Sequence, residues 1–260
     1  MTKNSKEGKF FSIITVTYNA ENSIVKTLDS IFSQVGSLYE IIIIDGASKD
    51  YTIEKIKSHR IDIDVFLSEP DNGIYEAMNK GIILAKGKYI VFMNAGDCFY
   101  DEQTLSNVHA SLLKNPVDLY AGSSNVLYSN GALKEKKAKP IKKDCYYTPV
   151  CHQSLYTKTE LMKQMLFDFE NYRIAADFDF MMKVCSKKVS SCITNLPLSL
   201  VTADGLSDQS RVKVWREYES VYRKYNKFGF LNFIYYKGQI AVQYVKIGLK
   251  LLMKKIKFMS

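Results

Sequence analysis

Tyr39-Glu-Ile-Ile-Ile-Ile-Asp45 decides the fold. Four consecutive isoleucines leave neither the alternation of a half-exposed strand nor the stripe of an amphipathic helix. A short β-branched run of this kind suits a strand buried on both faces, as in a parallel sheet covered by helices. Upstream, Phe11-Ser-Ile-Ile-Thr-Val-Thr17 reads the same way; downstream, so do Asp64-Val-Phe-Leu-Ser68 and Lys88-Tyr-Ile-Val-Phe-Met93. Helix-like stretches at 22–34, 51–59 and 73–85 separate these runs. In the first of them Ile24, Leu28, Ile31 and Phe32 share one face. Such β-α alternation predicts an open α/β fold, a Rossmann-like, mostly parallel sheet flanked by helices and joined by right-handed crossovers. Ligands of such sheets bind beyond the carboxyl ends of the strands. Three of those ends are polar: Thr17-Tyr18-Asn19, Asp45-Gly46-Ala47-Ser48 and Asn94-Ala95-Gly96-Asp97.

The 260 residues as a whole are 47% hydrophobic and 24% charged, a globular composition that excludes a disordered or low-complexity protein. No internal repeat is present. Residues 1–7 are polar and lead into no apolar segment with a cleavage site, so no secretory signal is expected. No run approaches about 18 uninterrupted apolar residues, so no membrane-spanning helix is expected. Five cysteines without a CxxC pair read as reduced thiols of a cytosolic protein. Lys134-Glu-Lys-Lys-Ala-Lys139 reads as a solvated loop or hairpin flank, 180–185 as part of a helix and 190–200 as a late strand. Helices are expected at 214–225 and 238–258. His59 and His109 lie in polar stretches and read as surface residues; Trp215 reads as a packing anchor.

Charge is distributed unevenly. Residues 1–210 hold 24 Lys and Arg against 25 Asp and Glu, whereas 211–260 hold 12 against Glu217 and Glu219 alone. A basic end on a neutral body implies an anionic partner held at that end. Val242, Val245, Leu249, Leu252 and Ile256 step by three and four, and Lys246, Lys250, Lys254 and Lys257 do so on another face. That is the pattern of a helix lying on an anionic membrane surface. A helix docked on the core with a solvated lysine face has the same periodicity. A nucleic-acid partner is not expected, because the acidic strand ends repel phosphate unless a cation intervenes.

Asp45 ends a strand beside the expected crevice, where a carboxylate accepts hydrogen bonds from a base or sugar edge. Ser48 and Asp50 read instead as caps of the next helix. In Glu69-Pro-Asp-Asn-Gly-Ile-Tyr-Glu-Ala-Met-Asn-Lys-Gly81 a turn opens a helix whose N-terminus favours anions. The oxygen-rich strand end at 94–97, with its small residues, leaves room for a hard divalent cation; one carboxylate suffices when a diphosphate supplies other ligands. The first strand-helix turn, Thr17-Tyr-Asn-Ala-Glu-Asn22, contains no GxGxxG, which sets a nicotinamide dehydrogenase aside.

Taken together and in this order, these segments resemble the family 2 glycosyltransferases, inverting enzymes with the GT-A fold, over roughly residues 10–210. The resemblance implies a donor half at about 10–97 and an acceptor half at 98–210, together a catalytic domain 1–210, followed by a basic helical C-terminal extension at 211–260. Thr17, Tyr18 and Asn19 then border the donor, and Asp45 contacts the nucleobase. Asp71, Gly73 and Asn79, with Ala77 and Gly81, resemble the nucleotide-sugar loop and its helix. Residues 94–97 fall where the family binds metal. Asn94 stands for the first Asp of that motif, next to the donor, and Asp97 is its one carboxylate. The implied cofactor is Mg²⁺ or Mn²⁺.

Ile174-Ala-Ala-Asp-Phe-Asp-Phe180 resembles the Glu-Asp-x-Asp segment that supplies the catalytic base. Ala176 occupies the Glu position, so Asp177 is the matching candidate for taking the acceptor's proton. Asp179 cannot share its helix face and is expected to cap the helix or orient the acceptor and phosphate region. His152-Gln153 is similar to a His-Gln pair of the bacterial polysaccharide subgroup, near acceptor or phosphates. Asp204-Gly-Leu-Ser207 resembles the loop that closes over the donor, with mobility from Gly205 and with Ser207 at its end.

The implied reaction is inverting, metal-assisted transfer of a sugar from a nucleotide-sugar donor, a UDP-sugar, to a hydroxyl of a glycan or lipid-linked oligosaccharide. The setting it implies is cell-surface polysaccharide biosynthesis, cytoplasmic and peripheral to the inner face of the plasma membrane. A non-catalytic nucleotide- or sugar-binding scaffold descended from a transferase is the alternative, and nucleotide binding without turnover distinguishes it.

Overall fold

In a computed structural model, which describes residues 8–36, 38–59, 62–203 and 210–259 (beyond Leu249, side chains only at Met253), the isoleucine run forms β2 (Tyr39–Asp45). β1 (Phe11–Thr17) pairs with it in parallel, from Phe11 opposite Tyr39 to Thr17 opposite Asp45. β3 (Val65–Ser68) extends the sheet beyond β2, and β4 (Tyr89–Phe92) pairs with the free side of β1. The helices α1 (Ile24–Phe32), α2 (Thr52–Ser58) and α3 (Ile74–Leu84) join these strands. The chain thus moves outward from β1 to β3 and then returns to β1's other edge. That reversal opens a crevice at the carboxyl ends of β1 and β4.

Alternation along the strands builds two cores. Ile14, Ile42 and Ile44 pack against Tyr75, Met78 and Ile82 of α3. Phe11, Ile13, Ile41 and Ile43 face the other side, against Ile24, Leu28 and Ile31 of α1. At Gly81, α3 approaches β1 so closely that an added Cβ would stand 2.5 Å from Ile14 Cγ2. Only glycine permits that approach.

The second half supplies β5 (Cys98–Phe99), α4 (Thr104–Lys114), β6 (Leu119–Leu127), β7 (Leu133–Lys136), a 3-10 turn His152–Ser154, β8 (Leu155–Lys158), α5 (Thr159–Gln164), α6 (Ala176–Cys185) and β9 (Ser191–Thr202). Among the described residues the sheet has nine strands in the order β3-β2-β1-β4-β8-β6-β9-β5, with β7 on β6. β8 runs antiparallel to β4 and β6, and β9 runs parallel to β6 through an irregularity at Ala121–Ser124. By ladder length the sheet is mostly parallel, as expected. The lysine-rich 134–139 stretch begins inside the β6–β7 hairpin and is solvent-facing at Lys134–Lys137.

Two histidines depart from the surface reading. His109 is half-buried, its ring 4.2 Å from that of Phe10, because α4 packs this face on the sheet. His59 Nε2 lies 2.9 Å from Asp29 Oδ1. The five cysteines are free thiols. The polar stretch 1–7 lies outside the described residues.

After β9 the chain forms α7 (Arg211–Tyr225) and α8 (Phe230–Met259), the latter beginning well before the expected residue 238. Val214 and Val221 of α7 are buried, and the Tyr218 ring stands edge-on to Phe178 at 5.1 Å. The boundary drawn at 210 therefore falls just before a helix packed into the body. Tyr236 of α8 is fully buried, ringed by Tyr146, Tyr222, Phe228 and Trp215, with its hydroxyl donating to Tyr146 O at 2.9 Å. Further along α8 the apolar side chains face out: Val245 is 62% and Leu249 56% exposed. Leu252, Ile256 and three of the four stripe lysines lie outside the described side chains. Among the described residues no helix is long and apolar enough to cross a membrane.

Candidate active site

A cavity of about 640 Å³ opens at the crevice, lined by Lys26, Asn94, Asp97, His152, Arg173 and Asp177 among others. Its size is that of a small-molecule site. Asp97 stands on the turn after β4, where Gly96 takes φ +101°. Thr27 fixes this turn: its hydroxyl accepts from Gly96 N and donates to Asp97 O. The Asp97 carboxylate accepts from Gln153 Nε2 at 2.7 Å and from Thr202 N at 3.3 Å. Burial pushes its carboxyl above the ordinary carboxylate value, against the opposing pull of Gln153 and nearby His152.

His152 opens the 3-10 turn before β8, and Ser154 locks that turn through bonds to Ser123 O and to the hydroxyls of Ser124 and Ser199. The imidazole Nε2 is 3.1 Å from Asn94 Nδ2, and Nδ1 is 3.8 Å from Asp177 Oδ2. Asp177 sits in the first turn of α6, its Oδ1 accepting from Phe178 N at 2.8 Å and lying 3.3 Å from the Tyr75 hydroxyl. That hydroxyl donates to Ile174 O at 2.8 Å, and burial holds its acidity far below a free phenol's, so it stays a neutral donor. Three residues from separate parts of the chain thus form a polar row, Asn94–His152–Asp177, with Asp97 beside it.

The expected donor residues divide. Tyr18 and Asp71 flank Gly46, whose added Cβ would meet Asp71 Oδ2 at 2.6 Å and Tyr18 Cδ2 at 3.4 Å. Asp71 Oδ1 accepts from Gly73 N, and Gly73 takes φ +124° to open α3, where Arg173 Nη1 stands 3.7 Å from its added Cβ. Asn19, at φ +47°, accepts from Lys49 N through its side chain. Thr17 is buried, and its Oγ1 has no partner. These residues occupy the carboxyl ends of β1 and β2 and the entry to α3; the 640 Å³ cavity is not lined by them.

Three expectations are corrected. Asp45 is fully buried, its carboxylate held by Ser48 N, Ser48 Oγ and Ser68 Oγ, so it shapes the 46–48 turn and presents nothing to a nucleobase. Asn79 is spent on Phe167, accepting from its N and donating to its O, which pins a loop against α3. Asp179 is fully buried and pairs with Lys183, Lys224 and the Tyr225 hydroxyl, away from the cavity. Gly205 and Ser207 lie outside the described residues. Of the two expected caps of α2, Asp50 Oδ1 accepts from Thr52 N at the start of the helix, whereas Ser48 Oγ is spent on Asp45 and Asn19 N.

Four residues escaped sequence reading. Arg173 donates to Asn72 O and lines the cavity. Lys26 also lines the cavity, and Tyr75 brings the hydroxyl beside Asp177. Glu217, on α7, accepts from Ile174 N at 2.8 Å and Ala175 N at 2.9 Å. Its one sequence signal is rarity, as one of two acids in a basic segment.

Among the described residues no three His, Cys, Asp or Glu side chains gather into a metal cage. The available set is the Asp97 carboxylate and the buried Asn94 Oδ1, which has no hydrogen-bond partner. An all-oxygen pair with one orphaned acceptor fits a hard divalent cation that takes its other ligands from a diphosphate and water.

Residues 12–188 match the family model described as "Glycosyl transferase family 2". A "PGL/p-HBAD biosynthesis glycosyltransferase" of Mycobacterium bovis (strain BCG / Pasteur 1173P2) is 29% identical over 188 residues, 68% of this chain and 70% of the relative. S. aureus TarS 1-349, solved in complex with UDP-GlcNAc, superposes with a TM-score of 0.66 at 18% identity, covering 86% of this chain and 69% of that one. The mannosyltransferase PcManGT from Pyrobaculum calidifontis, in complex with GDP-Man and Mn²⁺, gives a TM-score of 0.66 at 15% identity over 98% of this chain and 81% of that one. At these identities the structural likeness is one of fold, and the fold is GT-A.

Proposed function

The chain belongs to glycosyl transferase family 2, and from that premise we propose that it moves a sugar from a UDP-sugar to a hydroxyl of a glycan or lipid-linked acceptor, with inversion, by single displacement. The observation that carries this reading is the convergence of Asp97 and Asp177 on one cavity, with His152 contacting both Asn94 and Asp177. Asp177 takes the proton of the acceptor hydroxyl as that oxygen attacks the anomeric carbon. Attack from the face opposite the leaving diphosphate inverts the sugar without a covalent enzyme intermediate. Asp97 and Asn94 would hold Mg²⁺ or Mn²⁺, which when bound supplies positive charge at the leaving group. Arg173 and Lys26 add charge of the same sign along the cavity wall. Tyr18, Asp71 and Gly73 border the nucleoside end of the donor.

The C-terminal helix supports a membrane setting for the acceptor. The outward apolar residues of α8, with the positive excess of 211–260, suit an anionic lipid surface. A lipid-linked acceptor at the cytoplasmic face, in cell-surface polysaccharide assembly, accords with this and with the His152-Gln153 resemblance.

A thermal-shift panel of UDP, GDP, CDP and dTDP with and without Mn²⁺, run on the wild type and on Asp177→Asn, tests the reading. A ligand at one hundred times its Kd adds about 2.7 kcal/mol, a shift of a few degrees. UDP is expected to stabilise both proteins, more so with Mn²⁺, while Asp177→Asn loses about 10²–10⁴-fold in turnover. Retained turnover removes Asp177 as the base. Nucleotide binding by a wild type that transfers nothing returns the chain to the scaffold alternative.

A further inference from the structure

Helix α7 belongs by composition to the basic C-terminal segment, yet it grips the loop that carries Asp177. Glu217 Oε2 accepts from Ile174 N and Ala175 N at 2.8 and 2.9 Å. Ala175 is the N-cap residue just before α6, and it offers no side-chain cap. These two amides lie before the helical ladder and need an acceptor from elsewhere. A carboxylate is the strongest one available, and it sits at the positive end of the α6 dipole. The next residue along α7, Tyr218, stands against Phe178. Near the end of α7, Lys224 bonds Asp179 Oδ1 at 2.9 Å and Asp168 Oδ2 at 3.3 Å, and the Tyr225 hydroxyl donates to Asp179 at 3.0 Å. Asp177 is thus bracketed: Glu217 holds the backbone two and three residues before it, and Lys224 holds the side chain two residues after it.

We infer that Glu217 is a positioning residue for the transfer, setting the place of Asp177 through the Ile174–Ala175 backbone; this rests on the reading of Asp177 as base. The donor does not touch Glu217 in this scheme, so its loss acts on the chemical step and leaves donor affinity alone. A displacement of about 1 Å at a catalytic group costs about a hundred-fold in rate.

The test compares full-length wild type, Glu217→Ala, Glu217→Gln and Glu217→Asp by three readouts. These are hydrogen exchange of the 170–180 segment, thermal shift by UDP with Mn²⁺, and turnover of a panel of UDP- and GDP-sugars. Glu217→Ala is expected to speed exchange at Ile174 and Ala175 by about ten- to a hundred-fold. It should lower kcat by about a hundred-fold, with the donor KM and the UDP shift unchanged. Glu217→Gln offers an amide oxygen to the same two N–H groups and is expected to restore most of the rate. Glu217→Asp keeps the charge but withdraws it by one methylene, and is expected to be slow although folded. The inference is overturned by an unchanged kcat in Glu217→Ala, by Glu217→Gln as slow as Glu217→Ala, or by a loss of UDP binding that parallels the loss of rate. A wild type that turns over no sugar in the panel sinks the transferase reading instead, and the exchange measurement then decides whether Glu217 holds the loop.

Discussion

His152 presents Nδ1 to Asp177 Oδ2 at 3.8 Å while its Nε2 meets Asn94 Nδ2 at 3.1 Å. The imidazole thus stands between the Asn94 amide and the Asp177 carboxylate. The ring lies near Asp177 Oδ2, while the Tyr75 hydroxyl and Phe178 N meet Oδ1. Replacing His152 with Ala is expected to lower kcat about ten- to a hundred-fold and to leave UDP stabilisation in place. Steady-state kinetics beside a thermal shift check this; an unaltered kcat would detach His152 from the base.

On the proposed reading Asp97 holds the cation, and its removal tests that role. In Asp97→Ala the increment that Mn²⁺ adds to UDP binding should vanish, a loss of about 1–3 kcal/mol, while any metal-free UDP binding persists. Titration calorimetry with and without Mn²⁺ reads both quantities. A Mn²⁺ increment that survives the substitution would place the cation elsewhere.

Vesicle binding should depend on the outward face of α8. Val245 and Leu249 are more than half exposed, so Val245→Ser with Leu249→Ser is expected to leave Tm nearly unchanged. The same pair should release the protein from vesicles containing anionic phospholipid, and high salt should weaken the wild type's binding. Co-sedimentation decides it: undiminished binding by the double variant would mean that another surface meets the lipid. Truncation just after Asn232 is the poorer test, because it also removes Tyr236 from the aromatic cluster.

A pH-dependent part of the stability resides in the pairing of β6 and β9. Asp118 receives Lys158 Nζ at 2.7 Å together with Ser190 N and Oγ, which hold its carboxyl down from 3.8 to about 2. A depressed value contributes stability in full above the unfolded chain's value, and that contribution is lost as pH falls through about 2. Because the pair is partly exposed, Asp118→Asn is expected to cost only about 1 kcal/mol at neutral pH. Urea denaturation should show the difference at pH 7 and its near-disappearance close to pH 2. A gap that persists in acid would assign it to packing.

How much of the site was legible follows from the range of the forces involved. The polar strand ends at 17–19, 45–48 and 94–97 were readable because strand length and topology alone bring them to one edge. The roles of the residues on that edge were not. Asp45 and Asn79 carry the right chemistry in the right motif, but their hydrogen bonds are used internally, Asn79 by Phe167, which lies 88 positions away. Asp179 shares a motif with Asp177 and differs only in facing α7, where Lys224 neutralises it. Arg173 and Glu217 left no periodic mark, since each acts through backbone contacts distant in sequence.

Sequence by itself determined β1 to β4 and the three helices between them, because backbone pattern and side-chain periodicity act over a few residues. It also determined that the positive charge collects at one end. Tertiary structure alone decided which carboxylates face the cavity and which are sealed, because burial of a charge is settled by partners arriving from elsewhere in the chain. It likewise decided that the basic segment divides in two, α7 locked against the Asp177 loop by Glu217 and Lys224, and α8 left with its apolar residues turned outward.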